Sequence, residues 1–168
     1  MERKVELKDI AGYLPYELKI LDTESKLIYP FLGYEIDTTL TKILLYDSEE
    51  DWWNLSNFMP ILRPLSDLYR EITHNGDKIV PIVELAKSQR EFNWEVGKDD
   101  FGNSCAKYGE IFFGFKNHSF YLHDFSNDLI YCQYALFDYL HELKIDYRQL
   151  CKKGLAISVY DLDKNPYE

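Results

Sequence analysis

Basic charge is in short supply in this sequence. Nineteen lysines and arginines stand against 29 aspartates and glutamates, for a net charge of −10, and the basic residues are scattered. A protein that grips duplex nucleic acid needs a basic footprint to displace counterions, so the composition argues against direct nucleic-acid binding. Long apolar runs are missing too. Nothing approaches the roughly 18 residues that read as a membrane span, and "ERKVELKDIAGYLPYELK" after Met1 has no apolar core of the kind a secretory leader carries. Cysteine is sparse and odd in number, with Cys105, Cys132 and Cys151 and no CxxC pair. Neither a disulfide framework nor a zinc ribbon is supported, and the expected setting is the cytoplasm, with reduced thiols.

The familiar catalytic signatures are also missing. There is no GxxxxGK[ST], no GxGxxG and no GxSxG, so a nucleotide site or an α/β-hydrolase has no support. HExxH is absent: His141-Glu142 begins like it, but no second histidine follows at the needed place. No histidine stands close in sequence to a cysteine that needs a base. Cys132 reads as part of a buried stripe, Cys151 precedes two lysines, and Cys105 reads as the most exposed thiol. The expectation is a protein without a cofactor and more plausibly without an enzymatic activity.

What is present is a folded composition. The 168 residues are 46% hydrophobic and include 14 tyrosines and 10 phenylalanines. That length suits a single globular domain over residues 1–168, large enough to bury a core without staples. The aromatics fit a core edge or an interface, since tyrosine joins an apolar ring to a polar tip.

Periodicity sets the order of elements. Val5, Leu7, Ile10, Ala11 and Leu14 recur at helical spacing, with Gly12 and Pro15 keeping that helix short. "YELKILD", "KLIYPFLGYEID" and "TKILLYD" read as extended segments of an antiparallel meander. Ser48 and Asp51 resemble an N-cap and its acidic partner, placing Trp52 and Trp53 on a short helix where they cannot face the same way. In "PILRPLSDLYREI" the two prolines hold Arg63 on an extended segment. Pro64 then opens a helix with Leu65, Leu68, Tyr69 and Ile72 on one face, stopped by "HNG". Pro81 opens a second helix with a stripe of Ile82, Leu85 and Ala86. "GKDDFGNSCA" reads as a loop, and "KYGEIFFGFKNHSFYLHDFS" as a hairpin turning near Asn117. "NDLIYCQYALFDYLHELK" reads as the longest helix, striped by Leu129, Cys132, Leu136, Leu140 and Leu143. Asp146 then caps a short helix that Gly154 stops, and "LAISVYDL" closes as a strand. The fold class expected is α+β: mainly one antiparallel sheet, with one long helix in the C-terminal half and several short helices packed on it.

Three groups of residues are candidates for function. Arg63, stiffened between prolines, can clamp a carboxylate of its own chain or of a partner; the internal clamp is the preferred reading. Trp52 and Trp53 are candidates for contact with a protein partner. Asp138, His141 and Glu142, at i, i+3 and i+4 of a helix, can converge on a metal, given one or two further ligands such as His123 and Asp124. They are the residues a metal-dependent enzyme would use. A charged outer face on an amphipathic helix explains the same three residues.

Three stretches resemble small uncharacterised proteins of phages, prophages and mobile elements of Bacteroidetes bacteria. They are "LKDIAGYLPYELKI", "MPILRPLSDLYREI" with "NGDKIVPIVEL", and "LCKKGLAIS", which together span most of the chain. The resemblance implies a bacterial or phage intracellular setting and brings no active site. The leading expectation is a non-enzymatic accessory protein that binds another protein. One variant is inhibition of a host nucleic-acid-handling defence enzyme, with Glu49, Glu50, Asp99 and Asp100 standing where phosphates would bind.

Overall fold

A computed structural model of the chain describes residues 4–36, 41–45, 52–124, 130 and 132–168. In chain order the elements are α1 (Leu7–Ile10), β1 (Lys19–Asp22), β2 (Ile28–Pro30), β3 (Gly33–Ile36), β4 (Thr41–Leu44), β5 (Trp52–Asn54), β6 (Phe58–Pro64), β7 (Ile72–His74), β8 (Asp77–Ile79), α2 (Pro81–Gln89), β9 (Glu95–Lys98), β10 (Ser104–Tyr108), β11 (Ile111–Lys116), β12 (Ser119–His123), α3 (Gln133–Glu142), β13 (Ile145–Asp146) and β14 (Ile157–Ser158). Short 3-10 turns join several of them. Strands dominate, and the expected α+β arrangement does not hold. Among the described residues the strands form four separate sheets, and the longest helix has ten residues.

Both corrections have local causes. Cys132 takes a left-handed backbone, φ 56°, and Lys144 another, φ 58°. A non-glycine residue there cannot continue a right-handed helix, so α3 is bounded on both sides. Leu129, expected on its stripe, lies outside the described residues. The single large sheet fails because the strands are short and β6, the longest, carries Pro60 and Pro64. A proline offers no N–H to a ladder, and β6 is paired piecemeal: with β1 antiparallel at Phe58–Pro60, and with β14 and β13 in parallel at Ile61–Leu62 and Arg63–Pro64.

The backbone gathers into two compact units. The first comprises residues 1–64 and 141–166, the second residues 65–140 with 167–168. In the first unit, the sheet β13-β6-β1-β2 buries Ile20, Phe58, Ile61, Leu62 and Ile145, with Ile10, Tyr13 and Leu18 also buried. A second sheet, β3-β4-β5, places Ile43 opposite Tyr34 on one side and Trp53 on the other. Trp52–Asn54 is thus a strand, not a helix; aromatic side chains suit a pleated, half-buried surface. The proposed cap at Ser48 and Asp51 lies outside the described residues.

The second unit contains the β12-β11-β10-β9 sheet and the β7-β8 hairpin. "HNG" does not stop a helix: Asn75 (φ 51°) and Gly76 (φ 85°) are the two turn residues between paired His74 and Asp77. This is the Asn-Gly hairpin signal, which asks for two positive φ angles in succession. The stretch after Pro64 accordingly makes only a 3-10 turn, Leu65–Tyr69, before β7. Asn117 and His118 make the same kind of turn between β11 and β12. Alternation along β11 and β12 sends Phe113, Phe115 and Phe120 to one face, where Phe113 and Phe120 stack at 5.6 Å and Phe137 of α3 meets Phe120 edge-on at 5.5 Å. The α2 stripe Ile82, Leu85 and Ala86 is buried.

Candidate functional site

The sheet β3-β4-β5 of the first unit departs most from the rule that large apolar side chains are covered. Directly opposed strand residues share a face, as do residues two apart. Tyr34, Ile36 and Trp53 therefore share one face around Ile43, which is fully buried, while Trp52 lies on the reverse. Ile36 is 69% exposed, Trp53 46% and Trp52 39%. Trp53 rests edge-on against Phe58 at 6.3 Å, which fixes the indole and leaves its other side open. β3 and β5 are the end strands of this sheet among the described residues.

Arg63 is 3% exposed. It sits on β6 opposite Ile145, with its backbone N–H donating to the Lys144 carbonyl at 2.8 Å. Burial is the main cause lowering the Lys144 pKa; Glu17 and Glu142 oppose that, and Arg63 adds to it. Arg63 is thus itself buried, among charges that reach the surface at Lys144, Glu142 and Glu17.

The helix α3 carries Asp138, His141 and Glu142, but among the described residues no group of three or more histidine, cysteine, aspartate and glutamate side chains gathers to hold a metal. The His141 ring lies 4.7 Å from Tyr13 and 5.4 Å from Tyr147, with Nε2 3.0 Å from the Tyr147 hydroxyl. Arg148 Nε donates to that same hydroxyl at 3.1 Å. The Tyr147 hydroxyl thus stands between the Arg148 guanidinium and the His141 imidazole, so the ring is engaged by its own chain. Gly12 makes room for the ring, since a Cβ there would stand 2.5 Å from His141 Cε1. The other suggested metal ligands are placed differently: Asp124 pairs with Arg90 at 3.0 Å, and His123 lies beside Phe112.

Two of the three thiols are set against acting as nucleophiles. Cys105, expected to be exposed in a loop, is a fully buried residue of β10, and burial pushes its thiol up to about 11. Cys151 is pushed up to about 12 by burial and by the neighbouring Asp146 carboxylate, which also accepts the Leu150 and Cys151 backbone N–H groups at 2.7 and 2.8 Å. Cys132, read as a stripe residue, is exposed at the start of α3. Thiolate chemistry needs a depressed pKa, and the two raised thiols have the opposite.

A second feature, not foreseen as a site, is a cavity of about 200 Å³ in the second unit. It opens on the sheet face opposite the phenylalanine core, where Phe112, Gly114, Tyr121 and His123 lie. The loop from Asp99 forms one wall. Asp99 accepts from the backbone N–H groups of Phe101 and Asn103, the Asn103 amide and the Tyr121 hydroxyl. Burial opposes its charge, but these donors prevail and draw its pKa down to about 2. The same bond, after burial, holds the Tyr121 phenol above its ordinary value. The sequence signal was the adjacent pair Asp99-Asp100 in a glycine-flanked loop. As a phosphate mimic Asp99 is committed to its own loop, Asp100 is exposed, and Glu49 and Glu50 lie outside the described residues.

Among the described residues no helix is long and apolar enough to cross a membrane. No protein-family model, curated protein or solved structure matches this chain.

Proposed function

We propose that this chain is a phage- or prophage-type accessory protein that works in the cytoplasm without catalysis, by binding another protein, and that the Trp53 face of the first unit is the contact surface. The observation that carries the reading is that Tyr34, Ile36 and Trp53, which share one sheet face around the buried Ile43, are each substantially exposed. Several large apolar side chains left exposed around one buried residue suit an interaction surface, and tryptophan and tyrosine anchor such surfaces more often than other residues. The net charge of −10 favours a basic partner and adds a salt-sensitive attraction.

Trp52, on the reverse face, is a built-in control. Affinity capture from bacterial lysate, read by mass spectrometry at low and high salt, should recover one stoichiometric partner with the wild-type chain and with Trp52→Ala. Trp53→Ala should weaken that capture about 30-fold, the size of a tryptophan anchor's loss. Equal capture by Trp53→Ala would overturn the face, and no partner for any chain at either salt would overturn the binding reading.

A further inference from the structure

The cavity of the second unit is lined by groups whose obligations are unequal. Asp99 and the Tyr121 hydroxyl are committed to each other and to the loop. Asp100 is exposed, and among the described residues it has no ion pair or hydrogen bond. Phe101 is 87% exposed, yet its loop is not slack: its N–H is held by Asp99 Oδ1 at 2.9 Å, and Gly102 follows at φ 80°. A fixed loop that holds a bare phenyl ring beside a cavity is poorly explained by folding, because burying that ring would stabilise the chain. The Phe112 and His123 rings, which also line the cavity, are stacked with their planes 13° from parallel and their centres 6.1 Å apart.

The faces of these rings already attract cations. Lys116 Nζ lies 5.7 Å from the centre of Phe101, and Lys107 Nζ lies 5.2 Å from the centre of Phe112. Neither lysine is in an ion pair among the described residues. A cation near a phenyl face is drawn by the ring's quadrupole, and the free carboxylate of Asp100 supplies the counter-charge. The cavity is also small. Pockets for small organic ligands run to about 300–1,000 Å³, so about 200 Å³ suits a single side chain.

We infer that this cavity receives the guanidinium of an arginine side chain, stacked against Phe101 in place of Lys116 and paired with Asp100. Arginine fits better than lysine because its planar, weakly hydrated head stacks on flat rings and meets a carboxylate with two parallel donors. An anionic ligand is disfavoured by Asp99, Asp100 and the net charge of the chain. That the arginine belongs to a protein partner rests on the function proposed above; the cavity's preference for the cation does not.

The test uses the full chain and Nα-acetyl-arginine amide, followed by the NMR signals of the Phe101, Phe112 and His123 rings. Saturable shifts are expected in the millimolar range, about fivefold weaker with Nα-acetyl-citrulline amide, which keeps the shape and lacks the charge. Asp100→Asn and Phe101→Ala should each weaken binding about threefold or more while the rest of the spectrum stays in place. Asp163→Asn, a carboxylate outside the cavity, should change nothing. Equal affinity for the citrulline compound, or no saturation by about 50 mM, would overturn the inference. Stronger binding of Nα-acetyl-lysine amide would overturn the choice of guanidinium. Because the probe is a small molecule, the result is independent of whether Trp53 anchors a protein.

Discussion

At the scale of single residues, the second unit's outer face is organised around an absent side chain. Gly114 stands opposite Tyr121, and a Cβ at Gly114 would come within 2.5 Å of the Tyr121 hydroxyl oxygen. The missing Cβ lets the phenol lie low across the sheet and reach Asp99. Cys105 shares that face and is fully buried. Gly114→Ala should therefore cost about 1–3 kcal/mol in chemical denaturation, the usual range for overpacking, and should speed labelling of the Cys105 thiol. Unchanged stability and unchanged labelling would show that Tyr121 shields nothing. The thiols also set a pH dependence. With Cys105 raised to about 11 and Cys151 to about 12 from an ordinary 9.0, the folded chain holds protons that the unfolded chain releases above pH 9. Their contribution is fully present below pH 9 and is lost as pH rises through 11 and 12. A Cys105→Ala, Cys151→Ala double variant should show a shallower fall in stability across that window in denaturation curves; an identical slope would assign the alkaline loss to other groups.

At the scale of elements, turns were more legible than the structures they join. Pro81 opens α2 as its fixed φ suggests, and the hairpin at Asn117 falls where its composition placed it. Asn75-Gly76 carried an equally strong hairpin signal, but the apolar spacing from Leu65 to Ile72 read as one helical face. Ile72 instead pairs with Ile79 across the hairpin. Because nothing stands within 4 Å of a Cβ built on Gly76, the demand there is purely one of backbone angle. Gly76→Ala should destabilise the chain by about 1–2 kcal/mol, measured by thermal or denaturant unfolding. A neutral result would mean that the β7-β8 turn adopts another form at no cost. The overlong reading of α3 has the converse cause: Cys132 and Lys144 are ordinary helix residues by type, and only their left-handed backbones end the helix. Local periodicity carries no information about such angles. The candidate site was legible to the same degree. Asp99-Asp100 and His123 drew notice singly, while the register that brings them beside Phe112 depends on pairing between strands.

At the scale of the whole molecule, connectivity adds to the short strands and the prolines of β6 in keeping the strands from forming one antiparallel sheet. Apart from residues 167–168 the second unit is one stretch, 65–140, whereas the first is made of two segments on either side of that stretch. β6 ends at Pro64 and finds its parallel partners only at Ile145–Asp146 and Ile157–Ser158. Such distant pairing leaves no trace in the apolar pattern of β6 itself, which reads as an isolated extended run between prolines. A chain is made from its N-terminus onward, so on the ribosome β6 must wait. Residues 65–140 can emerge and condense while the polar edge of β6 still lacks its partners. Only when Ser158 has cleared the exit tunnel can the first unit close its sheet. The segment made before the second unit is thus finished after it, and any stall between residues 64 and 145 leaves an open strand edge of the kind that chaperones bind and that drives aggregation.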